Sequence, residues 1–129
     1  MRRRSLRVGM SDPRTVVADF VAALDGETRQ VAWAEWGVSV DAAGWPLHVG
    51  IAIRDGFLRA QAAVAEPGAF DPRDLLRWNR QVPLVSFSST RAGETWIGGE
   101  LPLSAVTPPE LDRFLGLLVL TATQARQGL

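Results

Sequence analysis

The chain has 129 residues with fourteen basic and fourteen acidic side chains, so its formal charge is zero, and 47% of its residues are hydrophobic. This length and apolar content predict one globular domain with its own core. The sequence has no cysteine and one histidine, His48, which excludes disulfides, cysteine nucleophiles, thiolate metal sites and multi-histidine metal sites within one chain. No apolar run is long enough to cross a membrane.

The net charge is zero because a basic segment at the start of the sequence balances an excess of acidic residues in the rest of the chain. All the basic residues are arginines, and from Met10 onward they number ten against fourteen acidic residues. Residues 1–10 lack the apolar segment of a secretory signal. They are predicted to be a basic, disordered leader, as chain termini often are. Two alternatives are an arm that binds nucleic acid or an anionic surface, and a natural start at Met10. Residues 11–129 are predicted to form the single domain.

The first regular pattern predicts an amphipathic helix over 12–25. Asp12 can cap the free N–H groups, Pro13 suits the first turn, and Gly26 ends the helix. Its apolar residues recur at helical spacing: Val16, Val17, Phe20, Val21 and Leu24.

Three strands are predicted next. Residues 31–40 are rich in β-branched and aromatic side chains, and residues 45–53 alternate between apolar and other side chains. The Asp55-Gly56 pair predicts a two-residue hairpin turn, which places Ile53 opposite Leu58 and makes every pair on that face apolar. A slip of one residue would mix the two faces.

The second half predicts a helix, two strands and a last helix. Asp71-Pro72 starts a helix that runs to about residue 81, and strands follow over 84–90 and 95–101. Thr107 and Glu110 form a capping box before a final helix that is apolar on more than one face. The order α-β-β-β-α-β-β-α predicts an α+β fold with one five-stranded antiparallel sheet, whose apolar face the first and third helices cover.

Residues 71–129 carry several segments that together resemble the YbjN family and the fold of type III secretion chaperones. They are 75–80, ending a helix in Trp-Asn-Arg, 82–87, the glycine-containing hairpin, 99–103, and 107–112 before the leucine-rich helix. Over the first seventy positions only the order of elements is similar. The resemblance implies a non-enzymatic, chaperone-like cytoplasmic homodimer that binds a protein or peptide segment. YbjN relatives are also labelled sensory regulators, so a small-molecule-sensing domain is the alternative.

Aromatic residues supply the candidate partner surface. Trp33 and Trp36 lie three positions apart in a predicted strand, so they point to opposite faces and at most one joins the core. The other, with Phe57 and Trp96, is expected toward the face without helices, where exposed aromatic residues favour partner binding. The alternatives are cover by the second helix or a loop, and a ligand pocket lined by tryptophans.

The second helix is the candidate homodimer surface. The first and third helices can already fill the apolar face of the sheet, which leaves a short apolar set on the second helix without an assigned partner inside the domain. That set consists of Leu75, Leu76 and Trp78.

No residue cluster predicts catalysis, a metal or a cofactor. His48 is the only possible imidazole base, and no carboxylate stands at a recognisable spacing to orient it. The carboxylates Asp12, Asp71 and Asp74 are explained by their positions at helix starts. Asn79 is expected to bond the last carbonyls of its own helix, with a partner's backbone as the alternative. We therefore expect a protein that is not an enzyme and binds neither nucleic acid nor membrane.

Overall fold

The computed structural model describes residues 12–129 and confirms an α+β architecture in which helices pack on one antiparallel sheet. The helices are α1 (Pro13–Ala22), α2 (Pro72–Asn79) and α3 (Pro108–Gln127). The strands are β1 (Glu27–Ala32), β2 (Glu35–Ala42), β3 (Trp45–Arg54), β4 (Phe57–Ala65), β5 (Val85–Ser89) and β6 (Thr95–Pro102). The predicted leader, residues 1–10, lies outside the described residues.

The sheet has six strands in the order β1-β2-β3-β4-β6-β5, with antiparallel neighbours throughout. The prediction of five strands was wrong because the segment 31–40 contains a hairpin rather than one strand. No glycine or proline marks the turn at Trp33 and Ala34. Instead, the Gln30 side-chain amide donates to the carbonyls of Ala32 and Trp33, at 3.0 and 3.1 Å, and holds the turn.

The predicted register of the hairpin formed by β3 and β4 is confirmed. Arg54 pairs with Phe57 across the Asp55-Gly56 turn, and the pairing continues through Ile53 and Leu58 to Val49 and Ala62. Both turn residues have positive φ angles, 56° and 82°, as a two-residue hairpin of this type requires.

The core lies between one face of the sheet and the helices α1 and α3. The largest fully buried side chains come from the helices and from strands on both sides of the sheet centre: Val17, Leu47, Ile51, Leu58, Val64, Ile97, Leu111, Phe114 and Leu118. The predicted helix caps are confirmed, with Asp12, Asp71 and Thr107 each accepting a main-chain N–H in the first turn. Within residues 12–129, no helix combines the length and apolarity needed to cross a membrane.

The short helix α2 packs beside β5 at one end of the sheet, apart from the other two helices. Trp78 lies between the rings of Phe70 and Phe87, with centroid distances of 5.6 and 5.7 Å and edge-on geometry. These aromatic contacts anchor the end of α2 to the edge strand. The opposite face of the sheet carries no helix among the described residues.

Candidate functional site

An apolar cleft opens between α1 and α3 above the strands β2 and β3. It has a volume of about 250 Å³. Its lining is apolar except for two acidic residues, Asp25 and Asp112, which are both exposed to solvent. The apolar lining residues come from all four elements and from the loop after α1: Phe20, Leu24, Val38, Val40, Val49, Ile51, Leu115 and Val119. Such a cleft can bury an apolar group and attract positive charge beside it.

The cleft stays open because α3 presents a glycine there. A β-carbon built at Gly116 meets no atom within 4 Å, although Gly116 lies in the interior of the helix. Glycine weakens a helix relative to alanine by about 1 kcal/mol. The fold therefore carries a small cost in stability at the position that leaves this cleft unfilled.

The strand β1 forms the sheet edge nearest to α1 and is the most exposed strand of the sheet. Five of its six residues are exposed, and Val31 retains 57% of its accessible surface. Trp33, in the turn that follows, is 74% exposed, and the Arg14 guanidinium lies 4.8 Å from its ring centroid. Within residues 12–129, β1 pairs only with β2. This edge offers main-chain groups together with apolar side chains.

The face of the sheet without helices forms a shallow trough of about 490 Å³. Gly37, Gly50 and Gly98 fall on one line across the strands, with Gln61 between the last two. Trp96 borders this line, and its indole N–H donates to Glu94 at 2.6 Å. Two of these glycines, Gly37 and Gly50, line the trough, and their lack of side chains keeps its floor low.

Charges along this trough are largely paired across strands. Arg54 lies 3.2 Å from Glu35, and Arg59 lies 2.7 Å from Glu100. These groups are exposed or half-exposed, so each pair contributes about 1 kcal/mol or less to stability. Two of the three arginines that line the trough, Arg54 and Arg59, are thus paired with a carboxylate.

His48 lies on the same open face, where its Nδ1 is 2.7 Å from the hydroxyl oxygen of Ser39 on the neighbouring strand. A serine and a histidine at this distance are two parts of a nucleophilic triad, which also needs a group that orients the base. No carboxylate is bonded to the His48 ring among the described residues. Residues 12–129 also contain no group of three metal-ligating side chains.

The candidate partner residues occupy three different places. Trp36 is only 4% exposed and packs with Ile51 in the core, so its predicted role in partner binding is corrected to a core role. Trp33 lies at the β1 edge, whereas Phe57, 37% exposed, and the half-buried Trp96 lie on the open face. Phe57 and Trp96 are six residue pairs apart along the ladder of β4 and β6, so the four residues do not form one surface.

The candidate dimer residues of α2 also differ in their exposure to solvent. Leu75 is 6% exposed and belongs to the core, so its predicted place in a dimer surface is corrected. Leu76 is 68% exposed and points away from the domain. Trp78 is half-buried within the aromatic contacts of α2 and β5. Leu76 is therefore the one member of the set that is free to meet a second chain, as judged from the described residues.

Two polar side chains bond main-chain groups of other elements, and the sequence did not predict these contacts. Arg126 of α3 is 5% exposed and donates to five main-chain carbonyls, of Ala42, Trp45, Pro46, Ala63 and Val64. Burial lowers the pKa of Arg126 from its usual value while Asp41 acts in the opposite direction, and the guanidinium stays charged. A charged residue near the end of an apolar helix carries no sequence signal for such contacts.

The second is Asn79, whose side chain bonds both the N–H and the carbonyl of Phe87. The prediction that Asn79 bonds its own helix was wrong. The amide reaches the edge strand β5 instead, eight residues further along the chain. A local sequence pattern describes helix ends but not the strand that packs against them.

Comparison with solved structures identifies proteins of the same fold. The chain is similar to a chain of the HopA1–SchA chaperone–effector complex, with a TM-score of 0.70, 11% identity and coverage of 98% of this chain and 99% of that one. It is similar to the structure of the Yersinia pestis type III secretion chaperone SycH in complex with a fragment of YscM2, with a TM-score of 0.67, 18% identity and coverage of 88% and 99%. A chain of the ExsC–ExsE complex matches at a TM-score of 0.67, 14% identity and coverage of 91% and 96%.

These similarities span nearly the whole of each chain and establish a secretion chaperone-like fold. No protein-family model matches the sequence, and no curated protein matches it.

Proposed function

We propose that this protein binds an extended segment of a client protein and holds it in a chaperone-like manner, without catalysing a reaction. The observation that carries the proposal is the apolar cleft between α1 and α3, which is open to solvent and has acidic residues at its border. Two of the proteins that share the fold are described as a chaperone–effector complex and as a type III secretion chaperone bound to a protein fragment. Those descriptions support the same class of partner here.

The chemistry of the cleft defines the segment it would take. A large aliphatic or aromatic side chain would fill the apolar cavity and remove its lining from water. Asp25 and Asp112 favour an arginine or lysine next to that side chain. The client segment is therefore an apolar anchor flanked by basic residues.

The exposed β1 edge supplies a second kind of contact. An extended segment can add to a sheet edge through main-chain hydrogen bonds, whatever its side chains are. The strand β2 lies between β1 and β3 and contributes Val38 and Val40 to the cleft. A segment paired with β1 would be separated from β3, the far wall of the cleft, by the two strands β1 and β2. The chain that continues beyond the paired segment can therefore enter the cleft, whereas the side chains of the paired segment itself are too far away.

We further propose that the protein is a cytoplasmic homodimer in which α2 takes part through Leu76. Leu76 is 68% exposed, whereas the other two apolar residues of α2, Leu75 and Trp78, are buried and half-buried. A second copy of the chain would cover this side chain.

The test is selection of binding peptides from an array of random 20-residue peptides on the immobilised protein, followed by affinity measurement with two variants. Gly116→Trp places a large side chain in the cleft, and Gln61→Trp places the same side chain in the trough of the open face. We expect selected peptides with an apolar residue beside arginine or lysine, at least about tenfold weaker binding by Gly116→Trp, and unchanged binding by Gln61→Trp. Failure to select peptides, or equal binding by Gly116→Trp, would overturn the proposal.

The trough on the open face supports a second candidate function, which is small-molecule sensing of the YbjN type. Its volume of about 490 Å³ and its position beside Trp96 suit a small ligand. A small-molecule library screened by thermal shift tests it. Ligands that stabilise the wild type but not Gln61→Trp would support this candidate over the peptide-binding one.

A further inference from the structure

The two edges of the sheet differ in whether their main-chain groups are occupied. The order of strands places β1 at one edge and β5 at the other. An unpaired strand edge presents N–H and carbonyl groups that another chain can pair with. A partner strand can therefore add only at an edge whose main-chain groups are not already bonded within the chain.

At the β5 edge, the side chain of Asn79 takes the place of a neighbouring strand. Its Nδ2 donates to the carbonyl of Phe87 at 3.0 Å, and its Oδ1 accepts the Phe87 N–H at 2.6 Å. An antiparallel neighbour would exchange the same two bonds with Phe87. The orientation of the amide follows from chemistry, since only its oxygen can accept the main-chain N–H.

The next outward-facing N–H of β5 is occupied as well. Alternate residues of a strand direct their main-chain groups to the same edge, so Val85 and Phe87 both face away from β6. The Val85 N–H donates to the carbonyl of Pro83 at 2.7 Å. Both outward N–H groups over Val85 to Phe87 are therefore bonded within the chain.

The position of Asn79 is fixed by its neighbours. It is the last residue of α2, and the Trp78 ring before it lies between Phe70 and Phe87. Asn79 itself is half-buried. The amide thus reaches Phe87 from an anchored helix end rather than from a free side chain on the surface.

The β1 edge has no equivalent among the described residues. The Gln30 amide bonds the carbonyl of Ala32, the last residue of β1, and that of Trp33 in the turn. No other side-chain hydrogen bond to a β1 main-chain group is present in residues 12–129. We propose that Asn79 is a specificity-determining residue that closes the β5 edge, so that an extended client segment adds to the sheet at β1. This inference rests on the proposed function for its client, but the closure itself is a property of the free protein.

The closure is tested without any client by hydrogen exchange of the free protein, resolved at single amides by NMR. Asn79→Ala removes both bonds, and Asn79→Gln keeps the amide but displaces it by one methylene. We expect the Phe87 amide to exchange at least about tenfold faster in both variants, which corresponds to loss of one ordinary hydrogen bond. The matched control is Arg80→Ala, an exposed neighbour, which should leave this rate unchanged.

The consequence for binding is tested with a peptide selected on the wild-type protein. Calorimetry should give one peptide per chain for the wild type and two for Asn79→Ala, since the Phe87 main-chain groups become free to pair with a second segment while the Val85 N–H keeps its bond to Pro83. An unchanged Phe87 exchange rate in both variants would overturn the inference, as would one peptide per chain in Asn79→Ala. A wild type that binds no peptide would defeat the proposed function and leave the exchange result standing.

Discussion

The guanidinium carbon of Arg126 lies 3.3 Å from the ring centroid of Trp45, so the two planar groups are in direct contact. The ring covers the guanidinium, which also bonds five carbonyls and is 5% exposed. Among the described residues, no carboxylate lies at salt-bridge distance from Arg126. Its charge is therefore stabilised by the carbonyl dipoles and by the face of the Trp45 ring. These contacts join the end of α3 to the β2–β3 turn and to the end of β4.

Removing the Arg126 side chain should destabilise the fold strongly, because buried carbonyls then lack their donors. Arg126→Ala is expected to lower the free energy of unfolding by about 3 kcal/mol or more. The matched control, Arg113→Ala, removes an exposed arginine of the same helix and should change it by about 0.5 kcal/mol or less. Urea unfolding followed by tryptophan fluorescence measures both, and similar losses in the two variants would contradict the assignment.

The contact between Arg126 and Trp45 should appear as a coupling energy. In a double-mutant cycle with Arg126→Ala and Trp45→Leu, we expect the two effects to differ from additivity by about 1 kcal/mol. Trp45 is 43% exposed, so its replacement alone should be mild. Additive effects would mean that the ring only covers the guanidinium and does not attract it.

Replacement by alanine should change the free energy of unfolding in opposite directions at two glycines, Gly99 and Gly116. A β-carbon at Gly99 would lie 2.9 Å from the Phe114 ring and still closer to the carbonyl of Leu84. We expect Gly99→Ala to lower the free energy of unfolding by about 2 kcal/mol through overpacking. Gly116→Ala meets open space and should raise it by about 0.5–1 kcal/mol through helix propensity. Thermal and urea unfolding measure the change in the free energy of unfolding in each variant. A change of the same sign in both would contradict this prediction.

The proposed homodimer predicts a selective effect of charge at Leu76. Leu76→Asp should weaken dimerisation at least about tenfold in sedimentation equilibrium, since a carboxylate would be buried without a partner. Unfolding of the monomer should change by about 0.5 kcal/mol or less, because the side chain is exposed. Val31→Asp, at the other end of the sheet, is the control and should leave dimerisation intact. A monomeric wild type at high micromolar concentration would contradict the dimer.

The parts of the fold that could be predicted from the sequence are those set by neighbouring residues. The register of the hairpin at Asp55-Gly56 is predicted correctly because the length of the turn and the alternation of apolar residues both require Ile53 to pair with Leu58. The helix starts at Asp12, Asp71 and Thr107 follow from capping chemistry within three residues. The hairpin at Trp33 was missed because a side-chain amide, rather than a glycine, holds its turn.

The candidate surfaces were harder to predict because they depend on distant packing. Strand alternation separates Trp33 from Trp36 but does not say which of them meets α1 and α3. The cleft depends on the absence of a side chain at Gly116, which stands out only once the helix is placed over the sheet. Asn79 and Arg126 act on main-chain groups of other elements, and side-chain patterns carry no information about those groups.

The contacts of Arg126 also bear on the order of events in folding. Its hydrogen bonds span 62 to 84 residues of sequence, so they form only after the β2–β3 and β3–β4 hairpins and α3 have come together. Closing such long loops is a late and entropically costly step. The contacts of Arg126 are then expected to form after the transition state for folding, so that loss of the side chain increases the unfolding rate much more than it decreases the folding rate. The lifetime of the native state, and not only its population, would depend on this one side chain.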